Sequence, residues 1–256
     1  MLFVAGILGL LLGSFTNVLI ARIPDGRGVV AGRSACPKCN AEIAWYDNIP
    51  VFSWLRLRGR CRRCHGRIAA LYPAVELIVA AMCVGVVAMW GLSITSLMLV
   101  IVAVSSVALF VIDIQHRRLP HRIVLPTAVI AMVLAVAAWL AGERATWWSA
   151  LVGLIAMGGF YGALWFLYPR GMGFGDVTTG AMLGFVAGFL GYPQLAVGAI
   201  AGPLVGGVVV IALAVARRVR RGQPIPYGPA LITGAWIGFL AGPQIVEAYL
   251  GLLGLA

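Results

Sequence analysis

The sequence GMGFGDV at residues 171–177 lies between two strongly apolar runs, and the interpretation of the whole chain starts from it. Its alternating glycines have no Cβ, so this segment can let another backbone come close. Asp176 would stand in the first turn of the following helix, where a carboxylate is a favoured cap. Capping alone would explain Asp176, so a catalytic role needs a second observation.

Asp113 provides that second observation. It ends the apolar run Ala108–Ile114, and near the C-terminus of a helix its negative charge would oppose the helix dipole. A carboxylate at the bilayer centre costs on the order of 2.5–3.5 kcal/mol, and ionisable residues in such runs mark functional sites. No capping role for Asp113 is apparent from the sequence, which therefore predicts a functional pair with Asp176.

The composition indicates a membrane protein. Of 256 residues, 62% are hydrophobic and only 11% are charged, which no ordinary soluble domain shows. We predict an all-α polytopic protein with about eight transmembrane helices. The predicted spans are residues 2–20, 73–92, 94–114, 122–141, 147–168, 177–191, 194–216 and 228–250. The span at 177–191 is short, and Gly184, Gly188 and Gly191 predict close helix packing there.

Residues 21–72 carry two Cys-x-x-Cys pairs, Cys36 with Cys39 and Cys61 with Cys64. Two such pairs at this spacing are typical of a structural zinc site, in which four thiolates leave no open coordination position. The alternative is two disulfides, which would need an oxidising compartment. We interpret His65 as a surface residue outside the ligand set.

Three parts follow along the chain. Residues 1–20 form a first transmembrane helix, which we expect to be retained rather than cleaved as a signal peptide. Residues 21–72 form the four-Cys zinc-binding domain. Residues 73–256 form a membrane domain of about seven helices, in which Cys83 is a packed small hydrophobe.

The basic residues predict the orientation in the membrane. Eighteen of the nineteen lie in residues 21–72, 114–122, 169–176 and 217–227, and Arg144 is the exception. These segments fall on one side, which the positive-inside rule makes cytoplasmic. This distribution explains the net charge of +11 without nucleic acid, although a zinc-ribbon nucleic-acid module is an alternative. It also puts the cysteines in a reducing compartment.

The same orientation puts Asp113 and Asp176 at one depth, at the cytoplasmic boundary of two spans that run in opposite directions. Glu76 is a plausible neighbour of this site, whereas Glu247 would lie at the outer interface. Two carboxylates that share a site cannot both ionise easily, so one can act as base and the other as acid. The sequence does not assign the two roles, because such a pair titrates as a unit.

The order of motifs resembles the type IV prepilin peptidases, membrane aspartic proteases of the GxGD type that are often also N-methyltransferases. The resemblance covers most of the chain. Its motifs are Gly13–Val18 with Arg22-Ile23-Pro24, the two Cys pairs around Tyr46–Pro50, Tyr72–Glu76, Asp113 with Leu119-Pro120, Gly173-Phe174-Gly175-Asp176 and Tyr227-Gly228-Pro229.

This resemblance implies cleavage of a short basic leader from prepilins or pseudopilins at the cytoplasmic face of the inner membrane. Asp113 and Asp176 would be catalytic, with Gly173 and Gly175 in the active-site loop. Methylation of the new N-terminus with S-adenosylmethionine is also implied. The sequence shows no Rossmann-type glycine fingerprint and does not locate a site for that cofactor.

Two alternatives remain at this stage. One is a presenilin-like intramembrane aspartic protease, because Gly-x-Gly-Asp and Pro229-Ala230-Leu231 fit that pattern. The other is a transporter without enzymatic activity, in which the two aspartates bind a cation.

Overall fold

A computed structural model of the chain describes residues 1–29, 34–143, 146–169, 171–217 and 225–254. Several basic residues used for the predicted orientation lie outside these ranges: Arg33, Arg144, Arg170, Arg218, Arg220 and Arg221.

The described residues form nine α-helices and one short 3₁₀ helix, with no β-strand among them. The α-helices are α1 (Leu2–Arg22), α2 (Phe52–Arg56), α3 (Leu71–Trp90), α4 (Ile94–His116), α5 (His121–Leu140), α6 (Trp147–Leu167), α7 (Phe174–Leu190), α8 (Tyr192–Val215) and α9 (Gly228–Leu252). Seven are long and apolar enough to cross a membrane, and α7 is a shorter apolar helix of 17 residues. The predicted all-α membrane fold is confirmed.

The chain divides into two compact units, Met1–Ala108 and Leu109–Ala256. In the first unit, α1 packs against α3. A Cβ at Gly9 would lie 2.6 Å from the Ala80 Cα, and one at Gly13 would lie 2.5 Å from the Glu76 Cα. Along the chain, the segment that connects α1 to α3 contains the 3₁₀ helix Trp45–Asp47, α2 and two isolated antiparallel bridges.

In the second unit, α6 packs on α7 and α8 on α9 at similarly short range. A Cβ at Gly184 would collide with the Gly153 carbonyl oxygen, and one at Gly188 with the Ser149 carbonyl oxygen. Lipid is as apolar as a side chain, so close van der Waals packing rather than hydrophobic burial holds such helices together. The prediction of close packing at Gly184 and Gly188 is confirmed.

Gly191 has a different role from the predicted one. Its φ of +144° lies where side chains are rarely accommodated, and it connects α7 directly to α8. Glycine is needed there for the turn between two helices rather than for packing along one of them.

Candidate active site and metal centre

Asp113 lies in the last turn of α4, and only 4% of its surface is exposed. Its carboxylate oxygen Oδ2 accepts a hydrogen bond of 2.9 Å from the backbone N–H of Gly228, the first residue of α9. The first N–H groups of a helix have no partner within the helix and attract negative charge. Asp113 therefore caps a helix that begins 115 residues further along the chain, and the prediction that it has no capping role is wrong.

Gly228 is a residue of this site that the sequence analysis gave only as part of the Tyr227-Gly228-Pro229 motif. A Cβ at this position would lie 2.7 Å from Asp113 Oδ2 and 3.1 Å from Leu119 Cδ2. The close approach of Asp113 to the backbone thus depends on the missing side chain. The available signal was the Gly-Pro pair at the start of the last apolar run, because Pro is favoured in the first turn of a helix.

Asp176 is the third residue of α7 and is half-buried. Its Oδ2 accepts from the Gly173 N–H at 3.0 Å, and its own N–H donates to the Gly173 carbonyl at 3.0 Å. This reciprocal arrangement resembles the capping box. The expected position in the first turn is confirmed, and each aspartate therefore serves one helix end while its carboxylate keeps further lone pairs for other donors.

Leu119 connects the surroundings of the two aspartates. A Cβ at Gly175 would lie 2.7 Å from the Leu119 carbonyl oxygen, so the Gly-x-Gly-Asp segment lies against the α4–α5 connection. The Leu119 side chain reaches Gly228 at the start of α9. Asp113 and Asp176, 63 residues apart in sequence, consequently belong to one cluster in which the charge of Asp113 acts on Asp176.

The two loop glycines differ in their surroundings. A Cβ at Gly173 would meet nothing closer than Asp176 Oδ2 at 3.5 Å, which is an ordinary contact. A Cβ at Gly175 would overlap Leu119. The described structure thus gives a steric reason for glycine at residue 175 and none at residue 173.

Aromatic and polar side chains from other helices surround the aspartates. Phe174 makes edge-to-face contacts with His121 of α5 and with Trp165 of α6. The hydroxyl of Thr178, two residues after Asp176, lies 3.3 Å from His121 Nδ1. The hydroxyls of Tyr161 and Tyr227 lie 3.1 Å apart. The sequence analysis did not select Tyr161, and it gave Tyr227 only as part of the Tyr227-Gly228-Pro229 motif.

The four predicted zinc ligands lie together in the first unit. The sulfur atoms of Cys36, Cys39, Cys61 and Cys64 all lie within 4.8 Å of one another. A tetrahedral zinc site with Zn–S bonds of about 2.3 Å requires sulfurs about 3.8 Å apart, and the Cys36 and Cys64 sulfurs are 3.8 Å apart. All four are free thiols, which does not support the disulfide alternative. The donor set therefore fits one structural zinc ion.

The two Cys pairs are built in the same way. The backbone carbonyl of Cys36 accepts a hydrogen bond from the Asn40 N–H at 2.9 Å, and the backbone carbonyl of Cys61 accepts one from the His65 N–H at 3.0 Å. Asn40 and His65 both have positive φ, 57° and 53°, at the fourth position after the first cysteine of each pair. His65 is exposed, as predicted, and its backbone closes the turn.

Backbone N–H groups prepare the first thiol of each pair for metal binding. The Cys39 N–H is the largest influence that lowers the pKa of Cys36, to about 6, and the Cys64 N–H likewise lowers the pKa of Cys61. Thiolates are the form that binds metal. The first thiol of each pair therefore favours the ligand state that zinc needs. At Cys64 the Gly66 N–H lowers the pKa, but hydrogen bonds with the other thiols and burial outweigh it and raise the pKa to about 11.

An ion pair stiffens the same segment. Arg62, next to Cys61, donates to both carboxylate oxygens of Asp47 at 2.6 and 2.5 Å, and its guanidinium lies over the Tyr46 ring. The hydrogen bond from Arg62 lowers the pKa of the Asp47 carboxyl. This contact ties the second Cys pair to the 3₁₀ helix.

Glu76 has its partners within the first unit. Its Oε2 accepts from the Val51 N–H at 2.7 Å, and Ser14 and Asn17 of α1 also hydrogen-bond to its carboxylate. Asn17 donates to the Tyr72 carbonyl at 3.1 Å, so it joins neighbouring helices. These residues line a cavity of about 590 Å³, a size usual for cofactor sites.

Two protein-family models match this chain. A model described as the bacterial peptidase A24 N-terminal domain matches residues 7–90, and a model of the type IV leader peptidase family matches residues 99–215. The second match contains Asp113 and Asp176, and the first contains all four zinc-ligand candidates. No solved structure matches the chain.

Several relatives carry the name prepilin leader peptidase/N-methyltransferase. The protein of Aeromonas hydrophila is 35% identical over 277 residues, covering 94% of this chain and 91% of the relative. The protein of Stutzerimonas stutzeri is 31% identical, covering 95% and 92%. That of Bacillus subtilis is 30% identical and covers 98% of both chains.

Proposed function

Since this chain belongs to the type IV leader peptidase family, we propose that it removes the leader from type IV prepilins or pseudopilins and then N-methylates the new N-terminus. The observation that carries the peptidase proposal is the cluster in which Gly228 holds Asp113 and Leu119 joins it to the Gly-x-Gly-Asp segment. In this proposal Asp113 and Asp176 are the catalytic residues.

The pair performs acid–base hydrolysis without a covalent intermediate. The ionised carboxylate takes a proton from a water molecule, whose oxygen forms a bond to the scissile carbonyl carbon. The protonated carboxyl donates a hydrogen bond to the carbonyl oxygen and so polarises the carbonyl, while it keeps its proton. When the C–N bond breaks, the pair returns a proton to the leaving amine, so the two aspartates end the cycle with one shared proton.

The membrane location follows from the long apolar helices, seven of which have membrane length. We propose that the protein lies in the inner membrane with both the Asp pair and the four-Cys segment on the cytoplasmic side. The clustering of Lys and Arg supports this orientation. The three-part division at residues 20 and 72 is part of the same proposal.

We propose the cavity beside Glu76 as the site for S-adenosylmethionine. The chemistry that this cofactor supplies when bound is an electrophilic methyl group on a cationic sulfonium. The Glu76 carboxylate offers a negative charge, and the aromatic side chains of Tyr46 and Trp54 among the lining offer stacking faces. The lining also carries four arginines, Arg22, Arg27, Arg62 and Arg63, so it offers partners for the carboxylate of this partly aromatic cofactor as well as for its cationic groups.

The zinc site has a structural role in this proposal, because four thiolates leave no position for substrate or water. It holds together a segment that has only short helices and two isolated bridges of its own. Such segments need a metal staple.

The test is incubation of purified protein in detergent with a prepilin, with and without S-adenosylmethionine, read by mass spectrometry. We expect loss of the leader in both reactions and an added methyl mass only with the cofactor. Asp176→Asn should stop cleavage, and Glu76→Gln should stop only methylation. Glu247→Gln, at an exposed carboxylate of α9, is the matched control. Cleavage within a transmembrane helix instead of at the leader would favour the presenilin-like alternative.

A further inference from the structure

Two tyrosine side chains contact each other near the aspartates, and the proposed hydrolytic mechanism assigns them no role. Tyr161 of α6 is completely buried, and Tyr227 is the half-buried residue that precedes α9. Their hydroxyl oxygens are 3.1 Å apart, and their ring centroids are 5.8 Å apart. Burying a tyrosine hydroxyl is unfavourable unless it has a hydrogen-bond partner. Each of these two hydroxyls has the other as its partner.

Packing fixes Tyr161 directly beneath Asp176. A Cβ at Gly180 of α7 would lie 2.5 Å from Tyr161 Cδ2, so the ring packs directly against α7 at that residue. Gly180 follows Asp176 by four residues, and residues four apart lie on one face of a helix. The Tyr161 ring therefore occupies the turn below the Asp176 carboxylate.

Packing also fixes Tyr227 beside Asp113. Tyr227 directly precedes Gly228, whose N–H donates to Asp113. Its ring lies against α8, where a Cβ at Gly206 would lie 3.0 Å from Tyr227 Cε2. The charge of Asp176 acts on both tyrosines. The hydroxyl pair consequently lies at the base of the carboxylate cluster, with one ring associated with each aspartate.

A count of hydrogens shows that the pair has one to offer. Each phenol carries one hydrogen, and the bond between the two hydroxyls uses only one of them. Within the described ranges, the bond to Tyr227 is the only hydrogen bond of the Tyr161 hydroxyl. Either hydroxyl could be the donor in this bond, and one hydrogen remains in both cases. With the completely buried Tyr161 as the donor, the remaining hydrogen is that of the half-buried Tyr227, which is free for a further acceptor. The acidic groups that face this point are Asp176 and Asp113.

We propose that Tyr161 and Tyr227 form a hydrogen-bond relay that ends on the Asp176 carboxylate, directly or through one water, and that this relay makes Asp176 the base of the pair. Asp113, which lies in the more buried position of the two, is then the acid. Both tyrosines are positioning residues, and this inference rests on the proposed peptidase function.

The experiment is a pH–rate profile of prepilin cleavage for Tyr227→Phe, Tyr161→Phe and the double variant. Loss of a hydrogen bond to a charged group should lower kcat of Tyr227→Phe roughly 10- to 100-fold. A hydrogen bond to the ionised form favours it, so its removal should shift the acidic limb of the profile upward by roughly one pH unit. KM should stay near wild type, because the relay does not bind the substrate.

Tyr161→Phe is the second variant, and it keeps the test decisive if Tyr227→Phe folds poorly. It should shift the profile in the same direction by less, because it acts only through Tyr227. The double variant should be no worse than Tyr227→Phe alone, since residues that act as a unit are not additive. Tyr249→Phe, at an exposed tyrosine of α9, is the matched control.

The other titratable neighbour is His121 of α5, which contacts Thr178. The profile is therefore repeated in a His121→Gln background, where the shift caused by Tyr227→Phe should persist. Unchanged kcat and profile in Tyr227→Phe would overturn the relay while leaving Asp176 required. A variant that loses thermal stability and activity together at every pH would also overturn it, because a packing role gives no shift in the profile. Asp176→Asn that still cleaves prepilin would instead refute the peptidase proposal itself.

Discussion

The four-Cys cluster and the aspartate cluster are both built from a few polar side chains, but the chain assembles them differently. Each Cys pair is a tight local turn, closed by an N–H bond to a carbonyl four residues earlier, and two such turns meet. The aspartate cluster draws on the end of α4, the α4–α5 connection and the first residues of α7 and α9. The first site depends on sequence spacing, and the second depends on how helix ends pack together.

The largest expected effect tests the aspartate cluster. Asp113→Asn and Asp176→Asn should each reduce prepilin cleavage roughly a hundred- to ten-thousand-fold, because either change removes the acid–base function. The double variant should be little worse than either single variant. Asn can still accept from the Gly228 or Gly173 N–H, so membrane insertion and zinc content should stay near wild type. Substantial cleavage by Asp176→Asn would reduce that residue to a helix cap.

The next effect tests the four-Cys cluster. Elemental analysis of the purified protein should give about one zinc per chain. Cys36→Ser or a strong chelator should lower Tm by roughly 10 °C or more, because metal binding contributes directly to folding. Cys83→Ser is the comparison variant, at a buried cysteine outside the cluster. Zinc-free protein with full stability and paired disulfides would contradict the metal site.

A matched glycine pair sharpens the contrast between the two kinds of site. Gly175→Ala should reduce cleavage strongly, by roughly tenfold or more, because its Cβ would lie 2.7 Å from the Leu119 carbonyl and push α7 away. Gly173→Ala should remain active, since its Cβ would meet nothing closer than 3.5 Å. Cleavage rates and zinc content are measured on both. Equal losses in the two variants would show that the loop acts by flexibility and not by close contact.

The smallest effect concerns Thr179, three residues after Asp176. Its hydroxyl is buried and has no hydrogen-bond partner among the described residues. Thr179→Val keeps the shape and removes an unsatisfied group, so it should be neutral or raise the free energy of unfolding by about 1 kcal/mol. Thr127→Val removes a buried hydroxyl that donates to the Ile123 carbonyl at 2.8 Å and should destabilise. A fall in activity without a fall in Tm for Thr179→Val would indicate a water held at the site.

Much of the molecule could be predicted from the sequence, because the decisive signals there are local. Hydropathy over about twenty residues predicts membrane helices, and the observed ends agree to within a few residues: the run at 122–141 is helix His121–Leu140. Ligand type and spacing predict the zinc site. The motif order also predicted the family that the comparisons show.

The limits of the sequence appear at individual residues. No structural reason for Asp113 was apparent from the sequence, because its hydrogen-bond partner is the backbone N–H of Gly228, 115 residues away. A backbone donor of this kind leaves no pattern in the sequence. Gly173 and Gly175 looked equivalent until Leu119 was found against one of them. In the sequence, Tyr161 is one of several aromatic residues in an apolar helix. The structure distinguishes it, because its hydroxyl is hydrogen-bonded to that of Tyr227.

The sequence by itself determined the all-α membrane class, the approximate extent of the long helices and the four cysteines that cluster, and it supplied the two aspartates proposed as catalytic. Only the tertiary structure decided which helix end each carboxylate serves, which glycine must lack a side chain, and which tyrosines lie beneath the site. The physical reason is that hydropathy and ligand spacing act along the chain. Hydrogen bonds between helix ends instead depend on the register in which separate helices pack, and no local pattern encodes that register.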